Sequence, residues 1–193
     1  MKRREESFDY VIGDRTLTFV TQPGVFSYGE LDEGTQCLLE AVVPHVRPHQ
    51  RILDLGTGVG LIGAALAGLV SRGEVWMVDV DVRAVRLAER NLALNGVENA
   101  HVQLGDITLD LPPKLRFDLV VSNPPTHSGK EVLRDFVVEA EHVLKPGGAA
   151  FMVANRLLSL RAMMQEAFGN VSEVSRCGGF LVFRSEKTRR DRR

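Results

Sequence analysis

Residues 51–61 read Arg-Ile-Leu-Asp-Leu-Gly-Thr-Gly-Val-Gly-Leu, a short apolar run that ends in an acid and opens into alternate glycines. Arg51 to Leu55 has the length and composition of a buried strand. Leu61 to Val70, mostly small and apolar, has those of a helix. The glycines between them let backbone approach a ligand closely, and the first amides of the helix have no partner within it. A strand, a glycine turn and a helix in that order begin a parallel α/β sheet.

The alternation continues outward from this unit. Downstream, Glu74 to Asp79 reads as a strand and Val82 to Asn95 as a helix with Val82, Val85, Ala88 and Leu92 on one face. His101 to Leu104 and Phe117 to Ser122 read as strands, followed by a helix from Lys130 to Leu144. Lys145-Pro146-Gly147-Gly148 should stop that helix, since proline cannot continue it and glycine accepts positive φ. Ala149 to Ala154 is then a strand, Leu157 to Phe168 a helix, and Val171 to Ser175 with Phe180 to Arg184 a closing antiparallel pair. Upstream, residues 8–20 alternate around Gly13-Asp14-Arg15 as a hairpin. Residues 23–31 fit neither period and should form a structured loop. Asp32 to Val46 reads as a helix with Pro44 crowding its last turn. The expected fold is α/β: a doubly wound, mostly parallel seven-stranded sheet covered on both faces, with an N-terminal β-hairpin and helix. One domain should span residues 1–193, with 8–46 as an N-terminal extension, 47–184 as the core and 185–193 as a basic tail.

Composition narrows the class. The chain has 193 residues, 44% of them hydrophobic, enough for one well-buried core. Lysine and arginine number 24 against 25 acids, a net charge of -1, which excludes a uniformly basic nucleic-acid binder but leaves room for a local basic patch. Cys37 and Cys177 are too few for a disulfide framework or a four-ligand zinc site, and are expected to be small core residues; no metal site is expected. The run from Gly56 to Ser71 is too short and glycine-rich to span a bilayer, and no apolar stretch follows the charged N-terminus. A cytoplasmic protein without membrane contact is the expectation.

Sheets of this kind bind ligands at the carboxyl ends of their strands. Gly58, Gly60 and Gly63 spell Gly-x-Gly-x-x-Gly with Asp79 about twenty residues on, a spacing a dinucleotide also uses. Asp54, just before the glycines, would repel a pyrophosphate. It would favour S-adenosyl-L-methionine, which carries no phosphate but an ammonium and a sulfonium. Asp79 could accept from both ribose hydroxyls, and Asp106 from an adenine amino group. The expected cofactor is therefore S-adenosyl-L-methionine, held by Asp54, Gly56, Thr57, Gly58, Gly60, Asp79, Val80, Asp106, Ile107 and Asn123.

Phe117 to Pro125 ends a strand in Ser-Asn-Pro-Pro, which places Asn123 beside the cofactor's methyl. An amino group on a base or carboxamide is a poor nucleophile because its lone pair is delocalised. If the Asn123 side-chain oxygen and the Pro124 carbonyl each accept one of its hydrogens, the nitrogen can become tetrahedral and attack. Positioning then does most of the work, and no strong base is needed. Asn123, Pro124 and Pro125 are the expected catalytic residues.

These motifs, with Pro23-Gly24-Val25-Phe26-Ser27, Asp32-Glu33-Gly34-Thr35 and Gly129-Lys130-Glu131-Val132, resemble the small methyltransferase domain family of class I S-adenosylmethionine-dependent methyltransferases. The similarity runs from about residue 8 to 184 and is nearest the RsmC-like guanine-N2 methyltransferases of small-subunit ribosomal RNA. It implies methylation of an exocyclic base amine in RNA, with guanine-N2 preferred to adenine-N6. Many relatives place Phe or Tyr after the second proline, where it stacks on the base; here stands Thr126. The resemblance then moves stacking to Phe26 or Tyr28, and makes Thr126 and His127 hydrogen-bonding substrate contacts. RsmC-type enzymes also carry a further N-terminal half with no counterpart among these 193 residues. Ribosomal RNA is the implied partner, with the basic residues from Arg184 to Arg193 as one candidate phosphate arm and Lys130, Arg134 and Arg156 on the pocket rim. Two rival readings stay open: a protein glutamine-N5 methyltransferase, and a cofactor-binding module without catalysis. Oligomeric state is not legible.

Overall fold

The computed structural model describes residues 5–25, 31–125, 129–155 and 159–188. Its elements in chain order are β1 (Glu6–Ile12), β2 (Arg15–Thr21), α1 (Glu33–Val42), β3 (Arg51–Leu55), α2 (Leu61–Ala67), β4 (Glu74–Asp79), α3 (Val82–Leu94) and β5 (Ala100–Leu104). After them come β6 (Phe117–Ser122), α4 (Lys130–Val143), β7 (Leu144–Asn155), α5 (Leu160–Phe168), β8 (Ser172–Cys177) and β9 (Phe180–Glu186). Strands β3 to β9 form one seven-stranded sheet in the order β5-β4-β3-β6-β7-β9-β8, and β1 and β2 a separate antiparallel hairpin. β5, β4, β3, β6 and β7 run parallel, and β9 is antiparallel to both β7 and β8. The expected α/β sheet is present.

Period-two alternation assigns each strand residue to a face. In β3, Ile52 packs with α1, α2, α3 and the hairpin, while Leu53 and Leu55 pack with α4 and α5. The first core holds the fully buried Phe19, Leu38 and Phe151, the second Phe117, Leu133 and Met152. Burial of each such side chain contributes roughly 1.5–3 kcal/mol.

The hairpin is docked by side chains. Asn91 on α3 and Asn95, which caps its C-terminus, lie four residues apart and meet the outward backbone groups of Val20 and Thr18 on β2. Asn91 Oδ1 accepts from Val20 N (2.9 Å) and its Nδ2 donates to Val20 O (3.0 Å); Asn95 does the same for Thr18 N and O, at 2.8 Å each. Four helical residues rise about 6 Å and two strand residues about 6.8 Å, so the i,i+4 pair matches the i,i+2 spacing of the strand edge. Asn91 Nδ2 also donates to Val59 O at 2.8 Å, tying the hairpin to the glycine turn.

Three expectations are corrected. The helix expected to reach Val46 ends at Val42 and continues as a 3-10 turn, Val43–His45, because Pro44 has no N–H to extend it. The strand expected to begin at Ala149 begins at Leu144. Gly147 N–H donates to Lys187 O and Lys187 N–H to Gly148 O, so the glycines stay paired. Cys37 and Cys177 are not free core residues: they are joined by a disulfide between α1 and β8, with Cα atoms 5.9 Å apart. No described helix is long and apolar enough to cross a membrane.

Candidate functional site

Chain order reverses between β3 and β6, and at their carboxyl ends opens a cavity of about 780 Å³. A crevice at this switch point is where open α/β sheets take ligands. The turns after β3, β4, β5 and β6 build its floor, α4 one side and the Asp32 end of α1 with Phe180 another. It reaches the size of a small-molecule site.

The turn after β3 is stitched to the strand beside it. Gly56 N and Thr57 N both donate to Val78 O, and Gly58 N donates to Asp79 Oδ2 at 2.8 Å. Gly56 sits at φ +76°, and a Cβ there would stand 3.0 Å from the Phe136 ring, so only glycine fits both torsion and space. Asp79 Oδ1 accepts from Asp81 N at 2.9 Å. Each carboxylate oxygen keeps a lone pair for a further donor.

The cofactor residues expected from the sequence divide. Gly56, Gly58, Asp79, Val80, Asp106, Ile107 and Asn123 line the cavity. Asp54, Thr57 and Gly60 stand outside that wall. Asp54 is fully buried on the Ile52 face of β3, where it accepts from Thr57 Oγ1 at 2.5 Å and from Gly63 N at 2.8 Å. Alternation along the strand decides this: Leu53 and Leu55 take the other face. Burial pushes the Asp54 carboxyl up to about 7 against those two hydrogen bonds, and its Oδ1 has no partner among the described residues. Ile107, a β-branched residue at φ +54°, is strained at a cost of order 1–3 kcal/mol and sits on the wall beside Asp106.

Asn123, Pro124 and Pro125 also line the cavity, Asn123 half-buried and Pro125 exposed. Asn123 Nδ2 donates to Asp32 Oδ2 at 2.8 Å and to Thr35 Oγ1 at 2.9 Å. The expected substrate contacts Phe26, Thr126 and His127 lie outside the described residues, as do Tyr28, Arg156 and the tail beyond residue 188.

The structure adds residues that sequence reasoning passed over. Phe180, at the start of β9, is half-buried on the cavity wall near Asp32. Its ring comes so close to Gly34 that a Cβ there would lie 2.9 Å from Cδ1 and Cε1. Asp32, Asp81 and Asp135 join Asp79 and Asp106 to make five carboxylates on the wall, with no lysine, arginine or histidine among its described residues. The Arg83 guanidinium reaches Asp81 Oδ2 at 2.6 Å and Gly24 O at 3.2 Å, and holds the Asp81 carboxyl below its usual range. Such a wall favours a cationic ligand over a pyrophosphate.

The profile of one protein family, the methyltransferase small domain, matches residues 16–184. A ribosomal RNA small subunit methyltransferase C of Citrobacter koseri is 37% identical over 185 residues, covering 94% of this chain and 52% of its own length. The like-named protein of Salmonella choleraesuis is 36% identical over 177 residues, with 90% and 50% coverage. Among solved structures, a T. thermophilus 16S rRNA N2 methyltransferase (RsmC), in complex with AdoMet and guanosine, superposes with a TM-score of 0.86 at 32% identity. That match covers 95% of this chain and 50% of the other. A methyltransferase from Pyrococcus furiosus, 20% identical with a TM-score of 0.72 over 89% of each chain, shares the fold. The chain spans about half the length of the curated relatives it matches.

Proposed function

The chain belongs to the methyltransferase small domain family, and on that premise we propose that it transfers a methyl group from S-adenosyl-L-methionine to an exocyclic amino group of an RNA base, guanine-N2 of small-subunit ribosomal RNA foremost. The observation that carries the reading is Asn123-Pro124 at the carboxyl end of β6, on the cavity that Asp79 and Asp106 also line. The relatives support it: a 32% identical structure holds AdoMet and guanosine.

The donor set fits this cofactor. Asp79 would hold the ribose hydroxyls, Asp106 the adenine amino group, and Val80 and Ile107 the apolar faces of the ring. The acidic wall favours the ammonium and sulfonium. When bound, the cofactor supplies a methyl group on a positively charged sulfur. The chain's own residues do the rest. Asn123 Oδ1 and the Pro124 carbonyl accept the two hydrogens of the substrate amine and turn its lone pair toward the methyl. Pro125, with no N–H, cannot compete for those acceptors. Phe180 offers the base an aromatic face, in place of the one many relatives carry after the second proline. Asp54 acts from behind, holding Thr57 and Gly63 and so the shape of the glycine turn.

The substrate class implies RNA as partner and the cytoplasm as the place of work, with residues 1–193 acting as one methyltransferase domain. Cytosolic thiols keep most cysteine pairs reduced, so the state of Cys37 and Cys177 there is a quantity to measure. The test is incubation of purified protein with isotope-labelled S-adenosyl-L-methionine and undermethylated ribosomal RNA, subunits and total protein, followed by digestion. Label in N2-methylguanosine supports the reading; label in a glutamine amide, or none despite tight cofactor binding, overturns it. Asn123→Ala should lose turnover while cofactor Kd stays within about twofold. Asp79→Ala should weaken cofactor binding first, since a carboxylate that accepts hydrogen bonds contributes about 1.5–3 kcal/mol for each.

A further inference from the structure

Asn123 can serve as an acceptor only if its amide faces one way. An amide presents oxygen on one side and NH2 on the other, and a half-turn about its last bond exchanges them. Presented the wrong way, Asn123 would set a donor against the donors of the substrate amine.

The structure assigns the task of preventing that half-turn to Asp32 and Thr35, which we propose as positioning residues; the proposal rests on the methyl-transfer reading above. A carboxylate oxygen can only accept, so the side of Asn123 that meets Asp32 Oδ2 at 2.8 Å is its NH2. The Thr35 hydroxyl donates to the same Asp32 Oδ2 at 3.0 Å, which spends its proton and leaves a lone pair for the second Asn123 hydrogen, at 2.9 Å. Both amide hydrogens are thereby committed toward α1. With the NH2 spent on Asp32 and Thr35, the carbonyl oxygen is the amide atom left to serve a ligand in the cavity that Asn123 lines.

Asp32 is fixed in turn by the helix it begins. It is the N-cap of α1, with φ -68° and ψ 132°, and its Oδ2 accepts from Thr35 N at 2.8 Å. One carboxylate oxygen therefore closes the helix start and orients an amide 91 residues away in sequence. An N-cap needs only a short acceptor, and serine caps about as well as aspartate. Orienting Asn123 needs the reach and the acceptor-only character of the carboxylate, so the two roles separate.

The experiment compares Asp32→Ser, Thr35→Val, Asn123→Ala and the double variant Asp32→Ser with Asn123→Ala. Asp32→Ser should keep the thermal midpoint and the RNA KM of the parent and raise the cofactor Kd no more than a few-fold, through the loss of one wall carboxylate, while kcat falls about 10–100-fold, the scale of a misplaced reacting group. Asp32→Asn, which can still turn an oxygen toward Asn123, should recover part of the loss. In the double variant Asp32→Ser should cost no further turnover, because a residue acting through Asn123 has nothing left to orient. An unchanged kcat, a kcat loss matched by a rise in Kd, or losses that multiply in the double variant would each overturn the proposal. A second readout does not need turnover. In isotope-labelled protein the Asn123 side-chain NH2 protons should exchange with water at least about tenfold faster in Asp32→Ser than in the parent, in line with the loss of committed acceptors. Equal exchange rates would sink the orienting role even if the parent methylates RNA. Faster exchange in Asp32→Ser, alongside a parent that methylates nothing, would instead leave the orientation standing and remove the assigned reaction.

Discussion

Replacing Asn91 by alanine should destabilise the protein by about 3 kcal/mol. The Asn91 side chain is fully buried and satisfies three backbone groups: Val20 N, Val20 O and Val59 O. Alanine strands all three, and a buried polar group left unpaired costs about 1–3 kcal/mol. Taking about 1 kcal/mol each, because small shifts let water reach the hairpin edge, gives the figure. With a urea slope of about 2 kcal/mol per M, the midpoint should fall by about 1.5 M. Asn95→Ala should cost about 1 kcal/mol, since Asn95 is only half-buried and water can replace it. Asn91→Asp separates hydrogen-bond chemistry from volume. It keeps the acceptor for Val20 N but turns a second acceptor on two carbonyls, so it should cost at least as much as alanine, and more once ionised. Because Val59 belongs to the glycine turn, both Asn91 variants should also raise the cofactor Kd. Urea denaturation across pH, with cofactor titration, measures all of this. A loss below about 1 kcal/mol for Asn91→Ala, or wild-type stability for Asn91→Asp, would refute the docking argument.

Other outcomes are equally open to measurement. Phe180→Ala should raise the RNA KM by about 5–150-fold, the equivalent of about 1–3 kcal/mol of stacking, while Phe180→Tyr stays near the parent; an unchanged KM in steady-state assays would exclude Phe180 as the base platform. Asp54 ionises near 7 in the fold against 3.8 in the unfolded chain. The native state thus holds a proton through that window that the unfolded state has released, and stability is lost as pH rises across it. Asp54→Asn should flatten that slope in denaturation curves taken between pH 4 and pH 7, and an unaltered slope would discard Asp54 as its source. Reduction of the Cys37–Cys177 bond releases a loop closed across 140 residues, which loop-closure entropy values at about 5 kcal/mol. Dithiothreitol should lower the urea midpoint accordingly, and titration of two free thiols in the untreated native protein would remove the premise.

The centre of the sheet was legible because β3, β4 and β6 are short, mostly apolar runs set between helical patterns. β3, β4 and β6 have the limits expected from the sequence, and the cavity opens where their order reverses. Pattern reading also brought Asp79, Asp106 and Asn123 to one place. It put Asp54 on the same wall because it counted positions along the chain but not the face to which strand alternation sends each residue. Asn91 looked like one more polar residue of an amphipathic helix, since nothing local marks a side chain that pairs with a strand 71 residues away. The link from Asp32 to Asn123, the Phe180 ring on the cavity wall and the Cys37–Cys177 bond are likewise contacts between distant segments. Their signal lies in three-dimensional proximity, which periodicity and spacing do not carry.

The ring of carboxylates around the cavity has a consequence for the company this protein keeps in a cell. Free nucleotides present the same bases as RNA, at high concentration, and would compete for any pocket that merely recognised a base. A triphosphate brings several negative charges to a cavity lined by Asp32, Asp79, Asp81, Asp106 and Asp135, and repulsion between like charges is strong where water is scarce. A base offered by a strand leaves most of its phosphates beyond the rim, where other surface can neutralise them. Under the proposed function such a wall should disfavour the mononucleotide pool and spare a base presented by its chain; guanosine should accordingly inhibit RNA methylation more strongly than guanosine triphosphate.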